Sequence, residues 1–171
     1  IDDLHTLALA DADELSVHVG PVDVAAALRH VARGVEAEAT AVGIALTVEA
    51  EATPLAAADA DRLAQILGNL VSNALRFTPV GGTITLGTRA ETEGVALSVT
   101  DTGTGIPPDV LPVVFERSVR ADAARSGGGA GLGLSIVRSL AEAQGGTVAA
   151  DSPPGAGTTV TVTLPRWEEE G

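Results

Sequence analysis

The chain contains no cysteine and no lysine. Without cysteine it has no disulfide framework and no thiolate site for zinc or an iron–sulfur cluster, and nothing in it requires an oxidising compartment. Without lysine it lacks the phosphate-binding lysine of a P-loop, the strand lysine of a protein kinase and any Schiff-base lysine. All 10 residues of the Lys/Arg class are arginine, so any phosphate chemistry has to do without lysine. No stretch approaches the roughly 20 consecutive apolar residues of a membrane span, and no basic leader precedes a short apolar run. The segment is therefore expected to be soluble and cytoplasmic. His5, His18 and His30 show no metal-ligand spacing and are assigned structural or solvent roles, and no nucleophile elbow of a Ser/His/Asp hydrolase is present. Positive charge is also scarce: the net charge of −13 repels nucleic-acid phosphates, so no nucleic-acid partner is expected.

What is present fits one domain, since 171 residues are enough to bury a real core. Residues 1–19 mix leucine and alanine with acids at helical spacing, stopped by Gly20-Pro21. Asp23 reads as the N-cap of a helix through Val24, Leu28, Val31 and Val35 that ends before Gly43. A strand from Ile44 to Glu49 follows. After an Ala-rich stretch, Asp59 or Asp61 caps a second amphipathic helix carrying Leu63, Ile66, Leu67, Leu70, Val71 and Ala74, ended by Thr78-Pro79. Thr83–Thr88 and Val95–Asp101 form a hairpin. The Gly-, Pro- and Arg-rich stretch from Thr102 to Ala130 is too long for an ordinary connection, which marks Ile106 to Ala130 as a lid. A helix from Leu132 to Ala143 and strands Thr147–Ala150 and Thr158–Leu164 complete a two-layer α/β sandwich (α+β). Its sheet is five-stranded, mixed and mostly antiparallel, packed on three helices. Trp167–Gly171 reads as a solvated tail.

Three constellations carry candidate chemistry. Asn69, Asn73 and Arg76 share one stripe of the second helix, either as exposed or capping amides or as an oxygen ligand for Mg²⁺ beside a phosphate-facing arginine. Asp101 continues the apolar register of Val95, Leu97 and Val99, so it is expected on the core side. There it needs a donor from the protein or from a ligand amine; as an alternative it caps a strand-end turn. The run from Gly127 to Leu134 leads straight into a helix and offers free N–H groups to an anion. A flexible linker is the other reading, although linkers do not turn directly into amphipathic helices. Its glycines do not match the dinucleotide fingerprint in any register. Arg117, Arg120 and Arg125 precede it, as phosphate contacts or as solvated loop residues.

Taken in order, these segments resemble the boxes of sensor histidine kinases. Asn69–Thr78 resembles the N box, Asp101–Ile106 the first glycine box, Val114–Arg117 the F box and Gly129–Leu134 the second glycine box. Gly155–Thr159 is similar to the last glycine-rich motif. The resemblance spans roughly 21–165 and implies the Bergerat ATP-binding fold with an ATP lid. It implies Asn73 as the Mg²⁺ ligand, Asp101 as acceptor of the adenine amino hydrogen, and Arg76 with Asn69 at the phosphates; these three helix residues, Asn69, Asn73 and Arg76, would be catalytic. Phe77 and Thr158 would line the nucleotide pocket, with Ile106, Leu132, Leu134, Arg117 and Arg120. Gly103, Gly105, Gly129, Gly131 and Gly133 would let the chain wrap ATP.

The implied activity is transfer of the ATP γ-phosphoryl group to a histidine on a dimerisation and phosphoacceptor domain. A response-regulator receiver domain then accepts it, in a full-length protein that is a membrane-bound homodimer. Residues 1–20 would be the end of the dimerisation-domain helix, 21–166 the catalytic domain and 167–171 a tail, in a cytoplasmic part of an inner-membrane sensor. Two departures stand out: Ser118 where the family places a second aromatic, and no phosphoacceptor motif, since His5 is followed by Thr-Leu-Ala. The chain alone should not autophosphorylate. Gyrase- and chaperone-type ATPases use a water-activating Glu where Asn69 stands, and an amide cannot take up that proton. A serine-kinase relative and a degenerate nucleotide- or partner-binding module of the same fold are the remaining alternatives.

Overall fold

The computed structural model describes residues 16–116 and 130–169, with the side chains of 130–132 outside that description. Its elements follow the apolar periodicity. Helix α1 (Val24–Ala41) starts where the Asp23 carboxylate accepts the Ala26 N–H at 3.1 Å, and buries Val24, Leu28, Ala32 and Ala39. The chain then turns at Gly43, whose φ of 73° favours glycine. Helix α2 (Ala60–Phe77) is capped by Asp59, the first of the two capping candidates, and buries Leu63, Ile66, Leu67, Leu70, Val71 and Ala74. It stops at Thr78, whose N–H and hydroxyl both donate to the Ala74 carbonyl. Pro79 follows and has no N–H with which to continue. Helix α3 spans Ala130–Ala143.

The five-stranded sheet is ordered β2 (Ala45–Ala50), β4 (Thr83–Ala90), β5 (Gly94–Asp101), β7 (Thr158–Pro165), β6 (Thr147–Asp151). Only β2 and β4 run parallel; the remaining pairs are antiparallel. Helices cover one face. There the alternating residues of β5 pair with those of β7, Val95 with Leu164, Leu97 with Val162 and Val99 with Val160. All six are buried against Leu67 of α2 and Ile136 and Leu140 of α3. Each such side chain contributes about 1.5–3 kcal/mol through burial. The same register carries Asp101 to the core side opposite Thr158, as its position in the strand predicts.

Three features differ from the sequence reading. A second, two-stranded sheet pairs β1 (Gly20–Val22) with β3 (Ala56–Ala58), where the sequence offered only a Gly-Pro stop and an Ala-rich stretch. Three-residue strands without a β-branched pattern leave no periodicity to read. Among the residues read as the end of an N-terminal helix, Ser16–Val19 have no helical structure. The Ser16 carbonyl accepts from Arg62, and the His18 N–H donates to Asp59 at 2.8 Å. The boundary between 20 and 21 therefore falls inside β1. Finally, the tail is not all solvated: Trp167 is half-buried and its N–H donates to the Leu55 carbonyl at 2.8 Å, while Arg166 bridges to Ala56.

Candidate functional site

A cavity of about 190 Å³ opens between α2, the end of β5, the loop after it, α3 and β7. Helix α2 contributes Leu70, Asn73, Ala74 and Phe77, which recur at helical spacing on one face. Val99, Asp101, Val160 and Thr158 come from the sheet; Gly105, Ile106, Pro107, Val110 and Val114 come from the loop and its short 3₁₀ turn at Leu111–Val113; Leu134 comes from α3. The wall is apolar apart from Asn73, Asp101 and Thr158.

Asp101 is the electrostatic centre of this wall. Burial pushes its carboxyl above the ordinary range, and the backbone N–H groups of Gly103 and Thr158 offset that only in part. The Gly103 N–H donates to Asp101 Oδ1 at 2.8 Å, closing an Asx turn that starts the glycine-rich loop. This turn packs on the end of α2: Thr104 N–H donates to the Phe77 carbonyl at 3.3 Å, and a Cβ at residue 103 would run into that same oxygen. Glycine is needed there for close approach. Helix α3 also packs on α2, for a Cβ at Gly133 would lie 3.0 Å from Asn73 Nδ2.

Of the residues singled out in the sequence, Asn73, Phe77, Asp101, Gly105, Ile106, Leu134 and Thr158 line the cavity together. Gly103 and Gly133 support its walls by the close contacts just given. Asn69 is half-buried and Arg76 exposed on α2, and neither lines the cavity. Gly131 and Leu132 lie in the first turn of α3. Arg117, Ser118, Arg120, Arg125 and Gly129, with most of the expected lid, lie outside the described residues. Sequence reasoning missed Ser152. It is buried and accepts the Ile106 N–H at 2.8 Å while donating to the Gly157 carbonyl at 2.6 Å. A serine before Pro153-Pro154 reads as turn chemistry, and nothing in the sequence marks its hydroxyl as buried.

The sequence and the fold that carry this cleft match known proteins. Residues 58–168 match the model of the histidine kinase-, DNA gyrase B- and HSP90-like ATPases. The sensor protein DivL of Caulobacter vibrioides is 41% identical over 172 residues, covering 100% of this chain and 22% of DivL. The sensor histidine kinase WalK of Bacillus subtilis is 45% identical over 116 residues, 66% of this chain and 19% of WalK. Full-length ShkA in complex with AMPPNP superposes with a TM-score of 0.85 at 34% identity, over 99% of this chain and 36% of that one. The catalytic domain of histidine kinase ThkA shares the fold, with a TM-score of 0.76 at 24% identity over 87% of this chain and 97% of that one. The chain belongs to the histidine kinase-, DNA gyrase B- and HSP90-like ATPase family. Its relatives are sensor histidine kinases, and its α/β sandwich is that of their ATP-binding catalytic domains. It spans about a fifth of the length of DivL and of WalK, 22% and 19%. Among the described residues no helix is long and apolar enough to cross a membrane.

Proposed function

We propose that the chain binds Mg²⁺ and ATP in the Asp101 cavity and presents the γ-phosphoryl group to a histidine on an adjoining dimerisation and phosphoacceptor domain. A response-regulator receiver domain is the next acceptor. The observation that carries this reading is Asp101, a buried carboxylate whose proton affinity is raised at the polar edge of an otherwise apolar cleft. Such a group is stabilised in its charged form by a ligand amine, which the exocyclic amino group of adenine supplies. Phe77, Ile106 and Leu134 give the base its apolar surroundings, and Thr158 adds a hydroxyl beside Asp101.

Asn73 fits a hard cation. Its carboxamide is the polar group on the α2 wall of the cleft, and among the described residues no group of three or more His, Cys, Asp or Glu could hold a metal alone. An amide oxygen together with phosphate oxygens suits Mg²⁺, which neutralises phosphate charge when bound. Arg76, exposed one turn further on, meets the phosphates with Asn69, and the first turn of α3 at Gly131 and Leu132 offers its N–H groups to the anion. Arg117, Arg120 and Gly129 join them by resemblance. The protein's work is thus positioning and charge neutralisation, the main terms in phosphoryl transfer. Residues 1–20 would join 21–166 to the dimerisation domain of a homodimeric membrane-bound sensor, with this domain in the cytoplasm. Without the acceptor histidine the chain alone does not autophosphorylate.

Calorimetric titration with AMPPNP, with and without Mg²⁺ and against its guanine counterpart, tests the reading. Adenine-selective binding strengthened by Mg²⁺ is expected, and Asn73→Ala should abolish the Mg²⁺ effect and block transfer to an added dimerisation domain. Absence of binding would turn the reading to a partner-binding module, and undiminished transfer by Asn73→Ala would remove that residue from its role.

A further inference from the structure

Ser152 lies at the end of β6, outside the cavity, and is 4% exposed. Its hydroxyl has one proton and two lone pairs, and every one of them is accounted for. The proton goes to the Gly157 carbonyl at 2.6 Å. One lone pair takes the Ile106 N–H at 2.8 Å. Thr158 Oγ1 lies 3.2 Å away, and because the serine proton is already committed, that contact has to run from the threonine hydroxyl to the serine. A single side chain therefore ties the loop after β5 to the hairpin between β6 and β7. It also decides which way the Thr158 proton points.

The two joined segments have little freedom of their own. Gly157 has a φ of 74° and sits so tightly on the Asp101 carbonyl that no Cβ fits. Gly105, with a φ of 77°, leads into Ile106, and both line the cavity with Thr158 and Asp101. Thr158 lines the cavity and stands opposite Asp101 in the β5–β7 ladder, so with its proton turned to Ser152 its hydroxyl has only lone pairs left for a ligand there. The polar edge is then made of acceptors.

We infer that Ser152 is a positioning residue for base selectivity. By taking the Thr158 proton and holding the Gly105-Ile106 turn, it keeps the cavity edge acceptor-only, which favours a base with an amino group over one with a keto oxygen at that edge. This deepens the reading of the cavity as an ATP site and rests on it.

The test is the ratio of AMPPNP to guanine-analogue affinity, measured by calorimetry on the whole chain. Ser152→Ala frees the Thr158 proton to serve a keto oxygen, so the ratio should fall about tenfold, the worth of one hydrogen bond changing sides. Ser152→Thr, which keeps a hydroxyl, should restore it. Because Ser152→Ala strands the Ile106 N–H and the Gly157 carbonyl, which costs stability, Thr158→Val provides a second arm that leaves both of those bonds in place. It should lower AMPPNP affinity several-fold and reduce the ratio. An unchanged ratio in Thr158→Val, or in folded Ser152→Ala, overturns the inference while leaving the ATP site intact. A wild-type chain that binds neither analogue overturns the ATP site and this inference with it.

Discussion

Asp59 follows the three-residue strand β3 and Asp101 ends the eight-residue strand β5; as whole residues they are 6% and 9% exposed, yet their carboxyl groups are shifted in opposite directions. Burial favours the neutral form of both. At Asp59 the protein overcomes it: the backbone N–H groups of His18, Arg62 and Asp61, with the Arg62 charge, bring the carboxyl below its ordinary range. Oδ1 accepts from Asp61 and Arg62 at the start of α2, and Oδ2 accepts from His18. The Asp59 N–H in turn donates to Gln144 Oε1 at 2.7 Å, beyond the end of α3. At Asp101 burial wins, and the carboxyl faces the cavity. A structural carboxylate thus differs from a ligand-seeking one both in how deeply the carboxyl group itself sits and in the number of donors the fold supplies to it.

The largest effect expected from this contrast is on binding. Asp101→Asn removes the charge that an adenine amine would meet, so AMPPNP affinity in calorimetry should fall about 10- to 100-fold, the range for a hydrogen bond to a charged group. Thermal stability should change little, because the amide oxygen still accepts the Gly103 N–H and the weakened acceptor for the Thr158 N–H is offset by removal of a buried charge. A variant that binds as tightly as the wild type would break the contrast. Asp59→Ala should do the reverse. Three N–H groups lose their acceptor, and a chemical denaturation curve should show a loss of about 2 kcal/mol, the upper range for an N-cap. Affinity should stay within about twofold, as for well-separated sites. A large loss of affinity in this variant would mean that the junction of Ser16–His18, α2 and α3 sets the geometry of the cavity.

The two carboxylates also mark how far the sequence could be read. The capping role of Asp59 is local, because an Asp directly before an amphipathic run is a helix-start signal. Its partners are not local: His18 is 41 residues away and Gln144 is 85, and no periodicity connects them. Asp101 was legible because strand alternation puts it in register with Val95, Leu97 and Val99, which fixes its side of the sheet. Asn73, Gly105 and Leu134, singled out through the order of their segments along the chain, do line the cavity, whereas Gly129 lies outside the described residues. Ser152, β1 and β3 were not legible, since a hydroxyl in a Pro-rich turn and three alanines look like ordinary surface chain until the tertiary fold buries them.

The smallest effect is the most discriminating, because its sign differs between the two residues. A carboxyl held below its ordinary value of about 3.9 binds fewer protons folded than unfolded. The contribution of Asp59 is therefore full above that value and is lost as pH falls through the lowered one. A carboxyl held above its ordinary value binds more protons folded, so Asp101 costs stability increasingly as pH rises from about 3.9 through its raised value, after which the cost is constant. Denaturant midpoints of the wild type, Asp59→Asn and Asp101→Asn between pH 3 and pH 7 separate the two. Relative to the wild type, Asp59→Asn should improve as the solution is acidified, and Asp101→Asn should improve as it is neutralised. Saturating AMPPNP should reverse only the second trend, since an amine against Asp101 favours the charged form. If the nucleotide leaves the Asp101→Asn difference untouched, the base does not meet that carboxylate.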